Sequence, residues 1–489
     1  MPTSFFAKPK TDFRSASHTA IISDLHLSEA EPVNLRFPLW KKFKTRQFFF
    51  DDVFENFLKH IEEKAQGNPV ELVLNGDIFD FDSVLALPQD PVFHMSWLER
   101  HRGLFPHPER SRFKIEKILK DHAEFMKALH GFLMRGNRAV FVIGNHDLEL
   151  HFPVVQEEIL FHLHLPEERK EQVRFVEWFY ISNQDTLVEH GNQYDPYCMC
   201  EDPINPYVHG YNYIALKLPF GNLACRYISN GMAFFNPHVD TNYIMTLSEY
   251  VQFFFKYIWK AQPGLVFTWF WGSVATLFHA SIDRLSSPIR NPLGIEDRIS
   301  VIAEKSNAEP RMVREMKELF AAPAASQPML LARELWLDRA FMVFLAFFLI
   351  FELMVFVRSV YELSFFWAFI PLFLLLPFFL FYSRSVNSLV SSYKEPDDRV
   401  LAMASAITKV KRIVYGHTHH TRHEIIGSVE HLNSGCWSPA FLDVECTKPI
   451  DQKTFIWISP GEKGETNNRQ AELMKFLDGN SVVVNPAVR

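Results

Sequence analysis

The sequence contains little cysteine and no surplus of basic charge. Only five of its 489 residues are cysteine, and this odd, thinly spread set does not fit a disulfide framework. We therefore expect a reducing compartment. The net charge of −7 at pH 7 argues against a protein that binds nucleic acid through a basic surface. The first 20 residues lack a continuous apolar stretch, so we expect no export signal there.

Apolar residues are plentiful. They make up 48% of the chain against 22% charged residues, which excludes a disordered protein. A length of 489 residues exceeds what one hydrophobic core usually organises, so we expect two or three structural units.

Two long apolar runs, 341–357 and 365–382, lie close together in the sequence. Both reach the lower end of the length, about 17–25 residues, that a helix needs to cross a bilayer. Arg333 and Arg339 precede the pair, and Arg384 and Lys394 follow it, a bias that places both outer ends in the cytoplasm. We predict a transmembrane hairpin and a multi-pass membrane protein. The alternative is an apolar hairpin buried in a soluble core or a dimer interface.

A third apolar zone, Leu265 to Phe278, is too short to predict a full crossing. Trp269 and Trp271, with Trp259 upstream, suit the headgroup region of a membrane, which favours an interfacial or re-entrant segment. An aromatic-rich core helix fits equally well. The charged stretch 296–320 is helix-prone and is either a cap over a site or a solvated helix, of which we favour the second.

Short β-rich runs alternate with helical patterns over the rest of the chain. The helical patterns include Phe48–Lys64 and Phe113–Met134. This order predicts an α/β domain with a mostly parallel sheet. The predicted strands are Thr19–Ser23, Glu71–Leu74, Arg138–Ile143, Thr186–Glu189 and Lys411–Tyr415.

A cluster of polar side chains follows each of these five strands. In α/β folds, ligand sites gather beyond the carboxyl ends of the strands, so we expect the clusters to meet. They are Ser23-Asp24-Leu25-His26, Asn75-Gly76-Asp77-Ile78-Phe79-Asp80, Gly144-Asn145-His146-Asp147, His190-Gly191-Asn192 and Gly416-His417-Thr418-His419.

The residue types in these clusters suit a centre of two metal ions. Asp24 and His26 lie two residues apart, as do the two histidines of the last cluster, so each pair can hold one ion from one face. The carboxylate of Asp77 can bridge two cations about 3.5–4 Å apart. Asn145 adds a neutral oxygen. Oxygen and nitrogen ligands without thiolate suit divalent Mn, Fe or Zn, with Mn the first choice.

The series DLH, GDIFD, GNHD, HG and GHTH resembles the calcineurin-like metallophosphoesterases, over residues 19 to about 195 and again from about 400 to 435. The resemblance implies a four-layer α-β-β-α sandwich that holds two divalent metal ions. It implies a first metal bound by Asp24, His26, Asp77 and His419, and a second bound by Asp77, Asn145, His190 and His417.

The resemblance also assigns a catalytic histidine. His146 corresponds to the residue that contacts the phosphoryl oxygen or protonates the leaving group, and Asp147 stands next to it, placed to orient it. The motif sequences are most similar to those of the UDP-2,3-diacylglucosamine pyrophosphatase branch; they are SDLHLS, LNGDIFDF, GNHD, EHG and YGHTH. That branch typically has an arginine where His146 stands, so the third motif has the general phosphoesterase form.

These features divide the chain into a catalytic domain with a large insertion. We expect catalytic parts at 1–200 and 396–460, a helical and aromatic insertion at 201–330, the hairpin at 331–395 and a polar tail at 461–489. Because His190 and His417 must meet at one metal, the chain must cross the membrane an even number of times. The two long runs satisfy this condition and place the catalytic domain at the cytoplasmic face.

We therefore predict hydrolysis of a phosphate ester or pyrophosphate by attack of a metal-bound hydroxide. The membrane hairpin favours a phosphorylated or nucleotide-linked lipid as the substrate. The first alternative is a membrane-tethered phosphatase of soluble nucleotides or phosphoproteins. The second is a membrane scaffold without activity, against which the intact ligands in all five motifs argue.

Overall fold

The computed structural model describes residues 12–210, 213–232, 252, 255–256, 264–285, 294–385, 395–450, 452–461 and 469–484. Three features of the sequence predictions lie outside these residues: the start of the N-terminal segment at 1–11, Trp259 and Lys394. All five cysteines are described, and each is a free thiol, in agreement with the expected absence of a disulfide framework.

Helices and strands alternate along the described chain. The strands are β1 (His18–Ile22), β2 (Val70–Asn75), β3 (Arg138–Val142), β4 (Val173–Val176), β5 (Phe179–Ser182), β6 (Thr186–Glu189), β7 (Tyr207–Gly210), β8 (Tyr213–Leu216), β9 (Arg412–Tyr415), β10 (Thr421–Ile426), β11 (Val429–Ser434), β12 (Thr454–Pro460), β13 (Arg469–Leu477) and β14 (Asn480–Val483). The α-helices are α1 (Asp51–Lys64), α2 (Trp97–Arg102), α3 (Pro108–Asp121), α4 (Ala123–Met134), α5 (Pro153–His162), α6 (Glu167–Lys170), α7 (Phe220–Tyr227), α8 (Leu265–Leu285), α9 (Ile295–Lys305), α10 (Pro310–Lys317), α11 (Pro328–Glu334), α12 (Leu337–Arg358), α13 (Phe369–Ser385) and α14 (Asp398–Thr408).

Two mixed sheets form the centre of the fold. The seven-stranded sheet has the order β14-β13-β12-β1-β2-β3-β4, and the five-stranded sheet has the order β10-β11-β9-β6-β5. Strands β1 to β4 pair in parallel, as do β6 and β9, whereas β12, β13 and β14 add antiparallel pairs. The α/β class is confirmed, but the expectation of a mostly parallel sheet is wrong for the outer strands, because β12 adds to β1 in the antiparallel sense and short turns join β5 to β6, β10 to β11 and β13 to β14.

Apolar packing explains how the sheets and helices are held. One cluster of buried residues draws on strands of both sheets, including Val73 and Val140 from the larger and Val188 and Val414 from the smaller. A second cluster joins the larger sheet to α1, α3, α4 and α5. A third joins the smaller sheet to α9, α10 and α14. The central strands β1, β2, β3, β6 and β9 are therefore buried on two faces, which explains their continuous apolar runs.

The predicted helical pattern Phe113–Met134 is interrupted at His122. There the backbone leaves the helical region (φ −109°, ψ 41°), and α3 ends before α4 begins. The buried His122 ring contacts Asp51 Oδ1 at 2.8 Å and the carbonyl oxygen of Ser28 at 3.0 Å. The sequence Ser-Asn-Gln-Asp at 182–185 is itself typical of a hairpin turn, and the structure has that turn between β5 and β6, with positive φ at Asn183 and Gln184.

The charged stretch 296–320 is neither a cap over the site nor a fully solvated helix. It forms α9 and α10, whose residues Ile299, Ile302, Val313 and Met316 are buried in the cluster on the smaller sheet. The charged residues alternate with these apolar ones at helical spacing, so the stretch has one core-facing side. The middle of the insertion thus completes the packing of the catalytic sheets.

The segment 461–489 is not only a polar tail. Its strands β13 and β14 extend the seven-stranded sheet, and β13 pairs with β12 from Thr454↔Lys475 to Pro460↔Arg469. Leu473 is fully buried between the sheets, whereas Met474 and Phe476 are buried on the opposite face of the strand, in the cluster that contains α1. Polar residues separate these apolar positions, so the strand is hard to recognise in the sequence.

Three described helices are long and apolar enough to cross a membrane. The candidate spans are Leu265–Ile282, Leu337–Arg358 and Phe365–Ser383, judged by length and composition only. Within these windows 28%, 11% and 0% of the residues are buried, so the first is the most covered by protein. These helices suggest membrane association without fixing a topology.

We predict that Leu473→Ala destabilises the fold by about 2–5 kcal/mol, because it leaves a cavity between two packed sheets. Gln470→Ala, at an exposed position of the same strand, serves as the matched control and is expected to change stability by less than about 0.5 kcal/mol. Urea unfolding of the full chain in one fixed detergent, followed by tryptophan fluorescence, gives the comparison. Equal unfolding midpoints for the two variants would show that β13 is peripheral.

Candidate metal centre

Five loops converge where β1, β2, β3, β6 and β9 end. Two backbone hydrogen bonds tie the first two loops together: Asp24 N–H donates to the Gly76 carbonyl at 3.1 Å, and His26 N–H donates to the Asp77 carbonyl at 2.9 Å. Within the smaller sheet, Gly416 N–H donates to the His190 carbonyl at 2.9 Å and ties the loop after β9 to the loop after β6. The loops therefore hold their positions through main-chain contacts.

The backbone at the convergence is strained. Five of the seven candidate ligands have positive φ, a conformation that residues other than glycine rarely adopt. Such strain costs about 1–3 kcal/mol per residue and persists only where the surroundings enforce it. It aims the side chains of neighbouring loop residues inward. The five residues are Asp24 (56°), His26 (49°), Asp77 (51°), His417 (65°) and His419 (58°).

Asp24, His26 and His419 form one group of potential ligands, with the ligand atoms all within 4.8 Å of one another. Nε2 of His419 lies 3.2 Å from Asp24 Oδ1 and 3.3 Å from Nε2 of His26. The other Asp24 oxygen accepts a hydrogen bond from His417 N–H at 3.1 Å. One carboxylate thus orients the last loop with one oxygen and presents the second oxygen to the group.

Asp77, His190 and His417 form a second group with the same spacing. Asp77 Oδ2 lies 3.1 Å from Nε2 of His190 and 3.9 Å from Nε2 of His26, so this one oxygen lies between the two groups. Asp77 Oδ1 accepts a hydrogen bond from His146 N–H at 2.8 Å. The Asp77 carboxylate therefore lies where it could bind an ion in each of the two groups.

Unpartnered oxygens indicate that a cation fits this site. Asp24 Oδ1 and Asn145 Oδ1 are buried and accept no hydrogen bond from any described residue. A buried polar atom without a partner is costly, and bound cations would satisfy these oxygens. The surrounding donors are carboxylate, amide and imidazole groups, which suit divalent transition metals. The residues present therefore fit a metal centre.

The charges of the site are strongly coupled. Burial opposes ionisation of Asp77, but His190 and His146 nearby hold its pKa well below the usual range. Burial also lowers the pKa of His190, yet the carboxylates of Asp77 and Asp24 outweigh it and raise that pKa to about 9. The protein without ions therefore offsets its buried carboxylates with protonated histidine.

His146 lies beside the two groups and has its own acidic partners. Its Nδ1 is 3.5 Å from Asp80 Oδ1 and 3.5 Å from Asp82 Oδ2, and its ring is 5.0 Å from that of His26 between centroids. Burial disfavours the imidazolium, but Asp77, Asp80 and Asp82 together raise the pKa of His146 well above its ordinary value. His146 is therefore held as a cation that can donate a proton.

Asp147 does not have the orienting role that its position in the sequence suggests. Its Oδ1 accepts a hydrogen bond from Gly144 N–H at 2.6 Å, and its Oδ2 accepts one from Ile78 N–H at 2.8 Å. Both oxygens are thus engaged with the backbone of two loops, and the residue shapes the loops. Asp80 and Asp82 instead lie beside His146. Their Asp-x-Asp spacing in the second motif is the sequence feature from which this could have been predicted.

Two further contributors were missed by the sequence analysis. Asp195 Oδ2 lies 3.0 Å from Nε2 of His417 and fixes the ring from outside the ligand group. Asn222, on α7 of the insertion, donates to Asp82 Oδ2 at 2.5 Å and to the Asn145 carbonyl at 2.6 Å. A lone aspartate in a loop and an asparagine in an apolar helix gave no distinctive sequence signal.

Gly144 is required by the close approach of Asp77. A Cβ atom at this position would collide with the Asp77 carboxylate and with its backbone nitrogen. Any side chain here would push Asp77 out of its place between the two groups, which explains the glycine in the third motif.

We predict that Asp77→Asn loses bound metal, because an amide neither bridges two cations nor supplies the negative charge that retains them. Elemental analysis of the purified full chain should find about two divalent ions per wild-type chain and far fewer in the variant. Asp52→Asn, an exposed carboxylate at the start of α1, is the control and should keep the ions. Wild-type metal content in Asp77→Asn would refute the assignment.

Metal binding is expected to release protons and to strengthen as the pH rises. His190 has a pKa raised to about 9, so it is protonated at pH 7 in the ion-free protein and must lose that proton to bind an ion. The apparent affinity should fall roughly tenfold for each pH unit below that pKa, for each proton displaced.

Calorimetric titration with manganese at pH 7, in two buffers of different ionisation enthalpy, measures this proton release. His420→Gln is the matched control, since His420 is exposed on the same loop as the last motif. It should release the same number of protons as the wild type. A heat of binding that is identical in both buffers would contradict the prediction.

Comparison with known families gives one match. Residues 17–216 match the calcineurin-like phosphoesterase family, and this region indicates a metal-dependent phosphoester hydrolase. The resemblance stated from the motifs is thereby confirmed at the level of the superfamily. The match ends before His417 and His419, whose place in the site is given by the geometry above. The comparison with curated proteins found no match.

Proposed function

We propose that this phosphoesterase hydrolyses a phosphate ester or pyrophosphate of a lipid-linked substrate at the membrane face. It would use two divalent metal ions, of which manganese is the first choice. The observation that carries the hydrolase assignment is the meeting of two ligand groups around Asp77. The buried oxygens of Asp24 and Asn145, which accept no hydrogen bond from any described residue, support it. The four-layer sandwich implied by the resemblance belongs to the same proposal, supported by the three apolar clusters.

Each ion would take its ligands from both sheets. Bound divalent ions would lower the pKa of a coordinated water and neutralise charge on the phosphoryl oxygens. Asp77 would contribute to both ions, which its position between the groups supports. We assign Asp24, His26, Asp77 and His419 to one ion and Asp77, Asn145, His190 and His417 to the other.

His146 would supply the proton that the leaving oxygen needs. The carboxylates of Asp80 and Asp82 lie on its Nδ1 side, so the opposite nitrogen is the one available to the substrate. Its raised pKa keeps it protonated at neutral pH, which is the state a general acid requires. After transfer, the two carboxylates favour the return of a proton from water to the ring.

The link between the site and an apolar helix supports a lipid-linked substrate. Asn222 of α7 is hydrogen-bonded to the loops of the site, and α7 packs against α8, one of the candidate membrane spans. The packing is close, because a Cβ on Gly272 of α8 would collide with the Tyr227 carbonyl of α7. A candidate membrane helix therefore lies one helix away from the metal centre.

The ends of the insertion support a hairpin with both ends on one side. The rings of His190 and His417 have centroids 5.3 Å apart, so the chain leaves and re-enters the site at one place. Tyr382 donates a hydrogen bond to Asp338 at 2.7 Å and joins the end of α13 to the start of α12. We propose that α12 and α13 cross the membrane as a hairpin, so that both outer ends and the catalytic domain lie at the cytoplasmic face. We further propose that α8 lies at the membrane interface.

The proposed substrate class is based on the motif sequences and on the proposed location of the catalytic domain at the membrane. The motifs are most similar to those of the UDP-2,3-diacylglucosamine pyrophosphatases, which supports a phosphorylated or nucleotide-linked lipid. A membrane-tethered phosphatase of soluble nucleotides or phosphoproteins is the second candidate, since His146 stands where that branch has arginine and the site geometry suits any accessible phosphoester.

We predict that His146→Ala slows hydrolysis by roughly 10²–10⁴-fold when the leaving group is a poor one. The loss should be much smaller with 4-nitrophenyl phosphate, because 4-nitrophenolate leaves without a proton. Phenyl phosphate provides the matched poor leaving group, and metal content is measured alongside. An equal loss with both esters at unchanged metal content would remove the role of His146 as proton donor.

Replacing 340–381 with a short Gly-Ser linker tests the lipid-linked substrate. Because Tyr382 and Asp338 are adjacent, the linker bridges a short gap and leaves α7 and α8 in place. We expect the wild type in vesicles to prefer a lipid diphosphate over a nucleoside diphosphate. We expect the variant to keep soluble activity and to lose that preference. If the ratio of activity on the lipid diphosphate to activity on the nucleoside diphosphate is equal in the two proteins, the soluble-substrate phosphatase is favoured.

A further inference from the structure

A cleft of about 650 Å³, part of it open to solvent, lies beside the metal centre. His26 and Asp80 of the site form one wall, and Phe43 and Phe49 contribute apolar surface. Residues 41–50, between the first motif and α1, supply much of the lining. This segment contains none of the five metal-ligand motifs.

Lys41 is the unusual member of this lining. It is only 3% exposed, and its Nζ has no hydrogen-bond partner among the residues that the structure describes. Its backbone has φ 43°, the left-handed region that a lysine rarely occupies. The protein therefore maintains both backbone strain and a buried, unpartnered amine at one position, next to the reactive centre.

The nearby carboxylates do not neutralise this amine by direct contact. Glu29 is already engaged, since its two oxygens accept hydrogen bonds from the N–H groups of Leu85 at 2.7 Å and Ala86 at 2.9 Å. Burial, and then the charge of Lys44, lower the pKa of Lys41 to about 7. An anionic ligand would supply the missing partner and restore the full charge of the amine.

Lys44 provides a second cation in the same cleft. It is also buried, and its Nζ donates hydrogen bonds to the Ser83 carbonyl at 2.8 Å and to Ser83 Oγ at 3.4 Å. Ser83 in turn donates its N–H to Asp80 Oδ1 at 3.0 Å, and Asp80 flanks His146. Lys44 is thereby held in place by the loop that carries the second motif.

We propose that Lys41, with Lys44 beside it, binds a second phosphoryl group of the substrate, one that is not at the reacting position. This inference rests on the proposed function, because the reacting phosphoryl group is taken to lie at the metal centre. The phenylalanine side chains of the cleft would contact the apolar part of the same molecule. Lys41 is then a specificity-determining residue for substrates with two phosphoryl groups.

Geranyl phosphate and geranyl diphosphate test this assignment, because they share the apolar group and differ by one phosphoryl group. With the manganese-loaded full chain, Lys41→Met should raise the KM for geranyl diphosphate by roughly tenfold or more, the effect of losing a charge-assisted hydrogen bond. Its KM for geranyl phosphate, and both kcat values, should stay within about twofold.

Lys42→Met is the matched control. The Nζ of Lys42 donates to the Glu445 carbonyl at 2.7 Å and does not line the cleft. This variant should behave as the wild type with both substrates. Thermal unfolding of both variants verifies that they are folded. An equal change for the two substrates in Lys41→Met, or no change for either, would overturn the proposal.

A second measurement does not depend on turnover. Acetylation of Lys41 by acetic anhydride, followed by peptide mass spectrometry, should be slowed by geranyl diphosphate and little affected by geranyl phosphate. Protection by both ligands alike, or by neither, would overturn the proposed subsite. A wild-type protein that shows this protection but hydrolyses neither compound would contradict the proposed function and leave the anion subsite supported.

Discussion

The position of one carboxylate oxygen sets the arrangement of the site. Asp77 Oδ2 lies between a histidine of the larger sheet's loops and a histidine of the smaller sheet, at 3.9 Å from His26 and 3.1 Å from His190. The two sheets therefore meet electrostatically at this point as well as through the apolar cluster between them. The nearby carboxylates raise the pKa of His190 to about 9, so we expect the centre to release a proton when it binds a cation.

The long insertion is constrained at both ends by this centre. Its chain departs after His190 and returns before His417, yet these two rings are neighbours. Between them, α9 and α10 cover the smaller sheet, and α7 contacts the loops of the site. The catalytic part and the insertion are consequently one folded unit over much of their described length, and among the three candidate membrane spans α12 and α13 are the least buried.

The sequence was sufficient for features that depend on local pattern. The strands before each motif, the turn at Asn183 and the grouping of the ligands all follow from short-range periodicity and residue type. Features that depend on tertiary packing were not predictable. Lys41 is a lysine within a basic segment, which normally indicates a solvated surface, and only the fold shows it buried. The neighbours of Asp147 were likewise set by the backbone of another loop.

The contact between α7 and the loops of the site has a practical consequence. Asn222 covers Asp82 and holds the Asn145 carbonyl, and Asn230 donates to the Asp82 carbonyl at 2.7 Å. A fragment that stops at residue 200 would expose a buried acid and release the loop that presents an amide oxygen to the ions. Dissection of this protein into a soluble enzyme and a membrane anchor must therefore keep α7 with the catalytic part, together with the returning chain that carries His417 and His419.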